Sequence, residues 1–272
     1  MNRCHDIIEG LILPETSEEL PDLEPLSATQ LNALRKINSP TIANAIEVFE
    51  IRPRNTGFLG PEVRCLFPAL GTMVGYAFTA AISADLPAKG HSVIQRADYW
   101  AATSRVTPPR VAVVQDLDNP PCRGSFWGEV NSNIHRALGF VGTVTNGSAR
   151  DLEEMEKLGF FTFARSPSVS HAYVHLVDFG GPVRVGGEVV NPGDLLHGDR
   201  HGVVIIPGEI APGVADAAAE VDAAEREVIR YCQSEDFNVA GLKNAYDNLQ
   251  ARFLQIIERR KPAGGKTPHW TS

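Results

Sequence analysis

Residues 127–160 read WGEVNSNIHRALGFVGTVTNGSARDLEEMEKLGF, and their punctuation decides the fold. Trp127 to Leu138 predicts a helix stopped by Gly139, and Phe140 to Thr145 a buried strand. Ala149 to Leu158 predicts a second helix, stopped by Gly159, and Phe160 to Ala164 another strand. Strands alternating with helices indicate a parallel or mixed α/β core. Within the run, Gly142-Thr-Val-Thr-Asn-Gly-Ser-Ala-Arg-Asp151 carries an apolar strand into Gly147 and then into a helix expected to open with Arg150 and Asp151. Such a strand end, glycine turn and helix N-terminus form an anion-binding corner, because first-turn N–H groups point outward. Arg150 adds a planar fork suited to a carboxylate. Asp151 adds a hard oxygen donor for a divalent cation that keeps most of its waters. The plainer reading is a helix-start salt bridge, since acidic residues are favoured in any first turn. Against it stands Glu129, which opens the preceding helix. Consecutive strand ends share one edge of an α/β sheet, so Glu129 is expected to converge with Arg150 and Asp151.

Upstream, Ser27-Ala-Thr-Gln30 is a capping-box pattern ahead of Leu31, Leu34 and Ile37, which share a helical face. Ser39-Pro40 predicts an N-cap and first-turn proline for a short helix through Ile46. Gly71 to Ser83 reads as one or two strands, and Arg110 to Asp116 as a buried strand. Downstream, Val183 to Val190 is a hairpin turned at Gly186-Gly187, Asn191 to Asp194 a turn and Val203 to Ile206 a strand, together predicting a β-rich subdomain. Val214, Ala217, Val221, Ala224 and Val228, then Leu242, Ala245, Leu249, Phe253 and Ile256, recur at helical spacing. Two C-terminal helices follow, their stripes facing the core or a neighbouring subunit. The expected organisation is an N-terminal arm over 1–26, a core over 27–209, a helical extension over 210–260 and a mobile tail over 261–272.

The chain has 272 residues, which favours one domain with decorated ends. Its 25 Lys and Arg against 33 Asp and Glu give a net charge of -8 without a dense basic cluster, which argues against nucleic acid or anionic membrane as partner. Residues 1–16 lack a signal-peptide pattern, and no run reaches the roughly 18 apolar residues of a membrane span. Cys4, Cys65, Cys122 and Cys232 are scattered, as reduced thiols in a cytoplasmic protein would be. His171, His175, His197 and His201 cluster in sequence without metal-site spacing, although His171 could contact a substrate. Asp194 and Asp199 read as residues that cap their own turns. The glycines of 71–75 and 139–147 form no nucleotide-binding pattern, so no nucleotide cofactor is expected.

The 127–160 run, followed in order by Pro192-Gly-Asp194 and Asp199-x-x-Gly202-Val-Val-Ile-Ile-Pro207, resembles the RraA-like family shared by 4-hydroxy-4-methyl-2-oxoglutarate aldolases and the regulator of ribonuclease activity A. The likeness runs from about Ser27 onward and leaves only the N-terminal arm and the C-terminal extension unmatched. It implies a swivelling β/β/α-type core with a mixed sheet, an N-terminal arm and C-terminal helices. In the aldolase branch it also implies a lyase that cleaves a 4-hydroxy-2-keto acid to pyruvate and decarboxylates oxaloacetate. The same resemblance places the keto-acid carboxylate on Arg150 and on the backbone of Gly128, Val130 and Asn131. Mg²⁺ or Mn²⁺ falls on Asp151, and proton handling on Glu129. A homotrimer or hexamer is implied, with a neighbour's Glu227, or failing that Glu225, reaching the arginine. The regulatory branch implies instead a non-catalytic binding protein, which has no need of the metal-anchoring Asp151. Three positions depart from the family pattern: Asn146 and Asn44 stand where many members carry Asp, and Glu129 is one methylene longer than the usual Asp.

Overall fold

The computed structural model describes residues 24–88 and 94–261, so most of the expected arm and tail lies outside the described residues. In chain order the elements are α1 (Ala28–Leu34), α2 (Ser39–Glu47), β1 (Arg64–Cys65), β2 (Met73–Ser83), α3 (Arg96–Ala102), β3 (Arg110–Asp116), β4 (Ser125–Trp127), α4 (Glu129–Ala137), β5 (Phe140–Thr145), β6 (Ser148–Ala149) and α5 (Leu152–Lys157). They continue with β7 (Phe161–Ala164), β8 (Ser166–Pro167), β9 (His175–Phe179), β10 (Val183–Val185), β11 (Glu188–Val190), β12 (Leu195–Asp199), β13 (Gly202–Ile206), α6 (Ala211–Cys232) and α7 (Val239–Arg260).

Local chemistry explains the helix starts. Ser27 caps α1 with the full reciprocal box, its side chain accepting from the Gln30 N–H while the Gln30 side chain accepts from the Ser27 N–H. For α2 the cap lies one residue earlier than expected: Asn38 accepts the Thr41 N–H at 2.9 Å, and Ser39 is already helical. The Ser39 hydroxyl is engaged elsewhere, on His197 Nδ1 at 3.0 Å. At the hairpin, Gly186 and Gly187 both have positive φ, 59° and 83°, as a two-residue turn whose twist matches its strands requires.

The main sheet runs β1-β7-β5-β3-β2-β12-β13, with β9 also paired to β2. Its centre, β2, β3, β5 and β7, is parallel, and β1, β9, β12 and β13 join antiparallel. Strands β12 and β13 therefore continue the main sheet, and the separate β-rich subdomain expected downstream reduces to the β10–β11 hairpin. Burial overrode the sequence signal there: His197, Gly198 and Asp199 look like loop residues, yet all of β12 is buried.

Strand β3 is buried on both faces, Ala112 and Val114 in an aromatic-rich core with Phe78, Tyr99, Trp127, Phe140 and Phe160, Val111 and Val113 against Met73, Val144, Phe163 and Leu196. A third cluster joins α1, α2 and the Val214-Ala217-Val221 stripe of α6 to the sheet. Each such buried aliphatic side chain contributes about 1.5–3 kcal/mol. Helix α7 packs on α6 and buries little itself, Ile256 being its one fully buried residue.

Candidate functional site

The carboxyl ends of β3, β5 and β7 each lead on to a strand of a second, small parallel sheet, β4-β6-β8. Asn146 ties two of these exits together. Its Nδ2–H donates to the Asp116 carbonyl at 2.9 Å and its Oδ1 accepts the Asp116 N–H at 2.7 Å. A carboxylate could only accept, so Asn serves this reciprocal pairing where Asp would not. The Asp116 side chain is buried, accepts the Asp118 and Cys122 N–H groups at 3.0 and 2.7 Å, and burial raises its pKa.

The second sheet places the corner. Strand β4 ends at Trp127, whose carbonyl accepts the Arg150 N–H at 3.1 Å, so residues 127–129 and 149–151 run side by side. Helix α4 opens at Glu129, as expected of that residue, with Trp127 and Gly128 of the broader expected span lying before it, and α5 starts at Leu152, so Arg150 and Asp151 stand in the turn before their helix. Asp151 is held in the left-handed region, φ 52° and ψ 47°, which costs an Asp less than most side chains. That geometry turns its carboxylate away from α5 and across to α4, where Oδ2 accepts the Glu129 N–H at 3.0 Å. It thus caps the helix next door. Arg150 Nε lies 3.7 Å from the same oxygen, both side chains being 36% exposed, and Oδ1 has no hydrogen-bond partner among the described residues. The salt bridge of the plainer reading is present, but it uses only one carboxylate oxygen. Gly128 permits the approach, since a Cβ there would sit 2.6 Å from Asp151 Oδ2 and 3.2 Å from Arg150 Cγ.

The corner therefore joins six expected residues, Gly128, Glu129, Val130, Asn131, Arg150 and Asp151. The Val130 and Asn131 N–H groups of the first turn of α4 have no acceptor among the described residues, and Val130 is 70% exposed. Asn131 is steadied from behind by its own Nδ2, which donates to the Phe126 carbonyl. The Glu129 side chain is exposed and has no partner among the described residues. The site can offer two amide donors and a guanidinium to an anion, a free carboxylate oxygen to a hard cation and a second carboxylate to a proton. Among the described residues no group of three or more His, Cys, Asp or Glu could hold a metal, so a cation on the free oxygen of Asp151 would have at most two protein ligands here, a set that suits Mg²⁺ or Mn²⁺ keeping several waters.

Other expected residues fall elsewhere. Glu227 lies on α6, paired with Arg252 of α7 at 2.9 Å, and Glu225 accepts from the Asn44 side chain at 3.2 Å. Within one chain neither is joined to Arg150. His171 and His175 are bound to nearby backbone carbonyls, and Asp194 caps its own turn by accepting the Asn191 N–H at 2.8 Å. Asp199, expected to do likewise, accepts the nearby His201 N–H and also reaches the Ser39 N–H of α2. His197 accepts from the Ser39 hydroxyl at 3.0 Å and donates to the Leu34 and Ile37 carbonyls at 3.1 Å, so this Ser–His contact is a buried strut. A cavity of about 550 Å³ opens at the amino ends of β2 and β3 between Arg52, Tyr76, Arg105 and Glu188, and includes no corner residue.

Sequence reasoning passed over Tyr99 and His135, both fully buried beneath the corner and hydrogen-bonded at 2.8 Å. Their separation of 36 positions left no local signal.

The RraA-like family model, described as Aldolase/RraA, matches residues 40–205, more than half of the chain. An uncharacterized protein of Methanocaldococcus jannaschii is 32% identical over 106 residues, which cover 38% of this chain and 50% of that protein. A Halalkalibacterium halodurans protein named "Putative 4-hydroxy-4-methyl-2-oxoglutarate aldolase" is 29% identical over 112 residues, 39% of this chain and 53% of its own length. The matched part thus spans about half the length of these curated relatives. An uncharacterized protein from Pseudomonas syringae pv. tomato superposes with a TM-score of 0.65 at 22% identity, covering 85% of this chain and 99% of that one, a likeness of fold.

Proposed function

The chain belongs to the RraA-like family, and from that premise we propose that it is a divalent-metal-dependent lyase that cleaves a 4-hydroxy-2-keto acid to pyruvate and also decarboxylates oxaloacetate. One observation carries the reading: two segments distant in sequence bring Arg150, Asp151, Glu129 and two unused amides to one corner, with one oxygen of Asp151 left free. The Halalkalibacterium relative's name supports the choice of substrate class.

In this reading the Val130 and Asn131 N–H groups and Arg150 bind the keto-acid carboxylate, and Arg150 also donates to the keto oxygen. Asp151 holds Mg²⁺ or Mn²⁺, which when bound supplies Lewis-acid stabilisation of developing oxyanion charge. Glu129, or a water that it orients, removes the proton of the C4 hydroxyl. The C3–C4 bond breaks as the C4 carbonyl forms, and its electron pair moves into the enolate of pyruvate, whose oxygen Arg150 stabilises. Protonation at C3 completes pyruvate. With oxaloacetate, carbon dioxide leaves in place of the carbonyl fragment and no hydroxyl proton is moved. A trimer or hexamer in which Glu227 serves a neighbour's corner belongs to the same proposal, and would require Glu227 to leave Arg252.

The alternative is a non-catalytic binding protein like the ribonuclease-regulating branch. Asp151, which such a protein does not need, favours catalysis. The test is pyruvate release from a panel of 4-hydroxy-2-keto acids and from oxaloacetate, with Mg²⁺, with Mn²⁺ and with excess chelator. Turnover that chelator abolishes and metal restores is expected. No turnover on any member of the panel, or full turnover in chelator, would overturn the reading.

A further inference from the structure

The aromatic core beneath the corner contains one polar pair. Tyr99 Oη lies 2.8 Å from His135 Nε2, and His135 Nδ1 lies 2.7 Å from the Asn131 carbonyl oxygen, with both rings fully buried. A carbonyl can only accept, so Nδ1 carries the proton, Nε2 presents its lone pair, and the Tyr99 hydroxyl donates to it. Burial keeps the pair neutral, raising the Tyr99 pKa and lowering that of His135 to about 4.

The imidazole touches both sides of Gly128. On one side it bonds the carbonyl of Asn131, in the first turn of α4. On the other it packs edge-on against Trp127, with ring centroids 4.7 Å apart, and Trp127 is the residue whose carbonyl takes the Arg150 N–H. Phe140, with its centroid 5.0 Å from the imidazole, closes a further side. A core needing only volume there would be served by an apolar residue, whereas a fully satisfied buried network fixes one arrangement of its neighbours.

We propose that Tyr99 and His135 are positioning residues for the corner: the Tyr99 hydroxyl fixes the His135 tautomer, and the imidazole holds the first turn of α4 and Trp127 in the register that makes the Val130 and Asn131 amides and Arg150 converge on one anion. This rests on the reading of the corner as a keto-acid site.

The test uses Tyr99→Phe, which removes one oxygen and keeps the ring, on the full-length protein. In the absence of ligand, the amide resonances of Val130 and Asn131 and the imidazole ¹⁵N shifts are expected to move. Binding of oxalate with Mg²⁺, a planar probe of enolate shape, is expected to weaken about tenfold, the scale of one buried hydrogen bond. KM for the keto acid should rise by a similar factor and kcat change less. A lowered melting temperature with unchanged ligand-free resonances, or with unchanged oxalate affinity where wild type binds oxalate, would overturn the proposal. Failure of wild type to bind oxalate or turn over would count against the keto-acid reading alone, since the ligand-free resonances still judge the positioning. Should Tyr99→Phe not fold, His135→Asn and His135→Leu supply the comparison. Asn can still donate to the Asn131 carbonyl and should retain the tighter oxalate binding, and equal binding by the two would refute the role.

Discussion

Asp151 and Asp199 do the same local job in two regions and end with different chemistry. Each carboxylate accepts a first-turn N–H of a helix other than one it precedes: Asp151 that of Glu129 at 3.0 Å, Asp199 that of Ser39 at 2.9 Å. Asp199 then saturates its other oxygen on the His201 N–H and Nδ1, at 2.8 and 3.0 Å, and its side chain is 9% exposed. Burial raises its pKa, but the amides of Ser39 and His201 and the His201 ring outweigh that and leave it below the ordinary value. Asp151 keeps one oxygen free and is 36% exposed. The difference teaches that capping alone does not mark a structural aspartate. What distinguishes the two is whether any acceptor capacity is left for a ligand.

Substitution at the open site should give the largest effect and leave the fold alone. Asp151→Asn keeps an acceptor for the Glu129 N–H and tolerates the left-handed backbone, so kcat should fall by about 10²–10³ while the melting temperature holds. Arg150→Lys keeps the charge, loses the fork and should lower kcat over a similar range. Steady-state kinetics beside thermal melts checks both, and a wild-type kcat in either variant would reduce the corner to a second structural cap.

The histidines sharpen the contrast by behaving alike in both regions. His135 beneath the corner and His197 beside Asp199 are buried, bound to backbone carbonyls, and lowered in pKa chiefly by burial. A depressed histidine is neutral in both folded and unfolded chains above pH 6.5. Below that the unfolded chain takes up the proton and the folded one does not, so stability is lost as pH falls from 6.5 towards 4. For His135 the loss approaches roughly 3 kcal/mol at the acid end. Urea melts from pH 7 to 4, with His135→Phe as control, measure it, and a profile unchanged by that substitution would remove His135 as the cause.

Asp199→Ala should act on stability alone, costing about 2 kcal/mol because it orphans the buried Ser39 N–H and removes the partner of His201. Chemical denaturation should show that loss while kcat per folded molecule stays at wild type. A larger fall in activity than in stability would break the comparison. Asn146→Asp should have the smallest effect, about 1 kcal/mol, from loss of the donor to the Asp116 carbonyl. A denaturation midpoint equal to wild type would show that the reciprocal amide pairing is dispensable.

Much of the molecule was legible in its sequence. Strands β3 and β5, the Gly186-Gly187 hairpin, the Ser27 box and both long C-terminal helices fell where their patterns put them. So did the grouping of Glu129, Arg150 and Asp151 at adjoining segments. Strand β12 and the true start of α5 did not, because burial and the short second sheet overrode weak local preferences.

The sequence by itself determined what repeats or resolves within a few residues: the periods of 2 and about 3.6 that alternate strand and helix, the glycines that turn or stop them, and the residue types available to the corner. Only the tertiary structure decided which oxygen of which aspartate stays free, that Asp151 caps α4 instead of α5, and that a Tyr–His pair lies behind the first turn. The reason is the reach of the interactions. A carboxylate is satisfied by whichever amides the fold brings within 3 Å, and the Glu129 amide lies 22 positions from Asp151 and the Ser39 amide 160 from Asp199, beyond any local pattern.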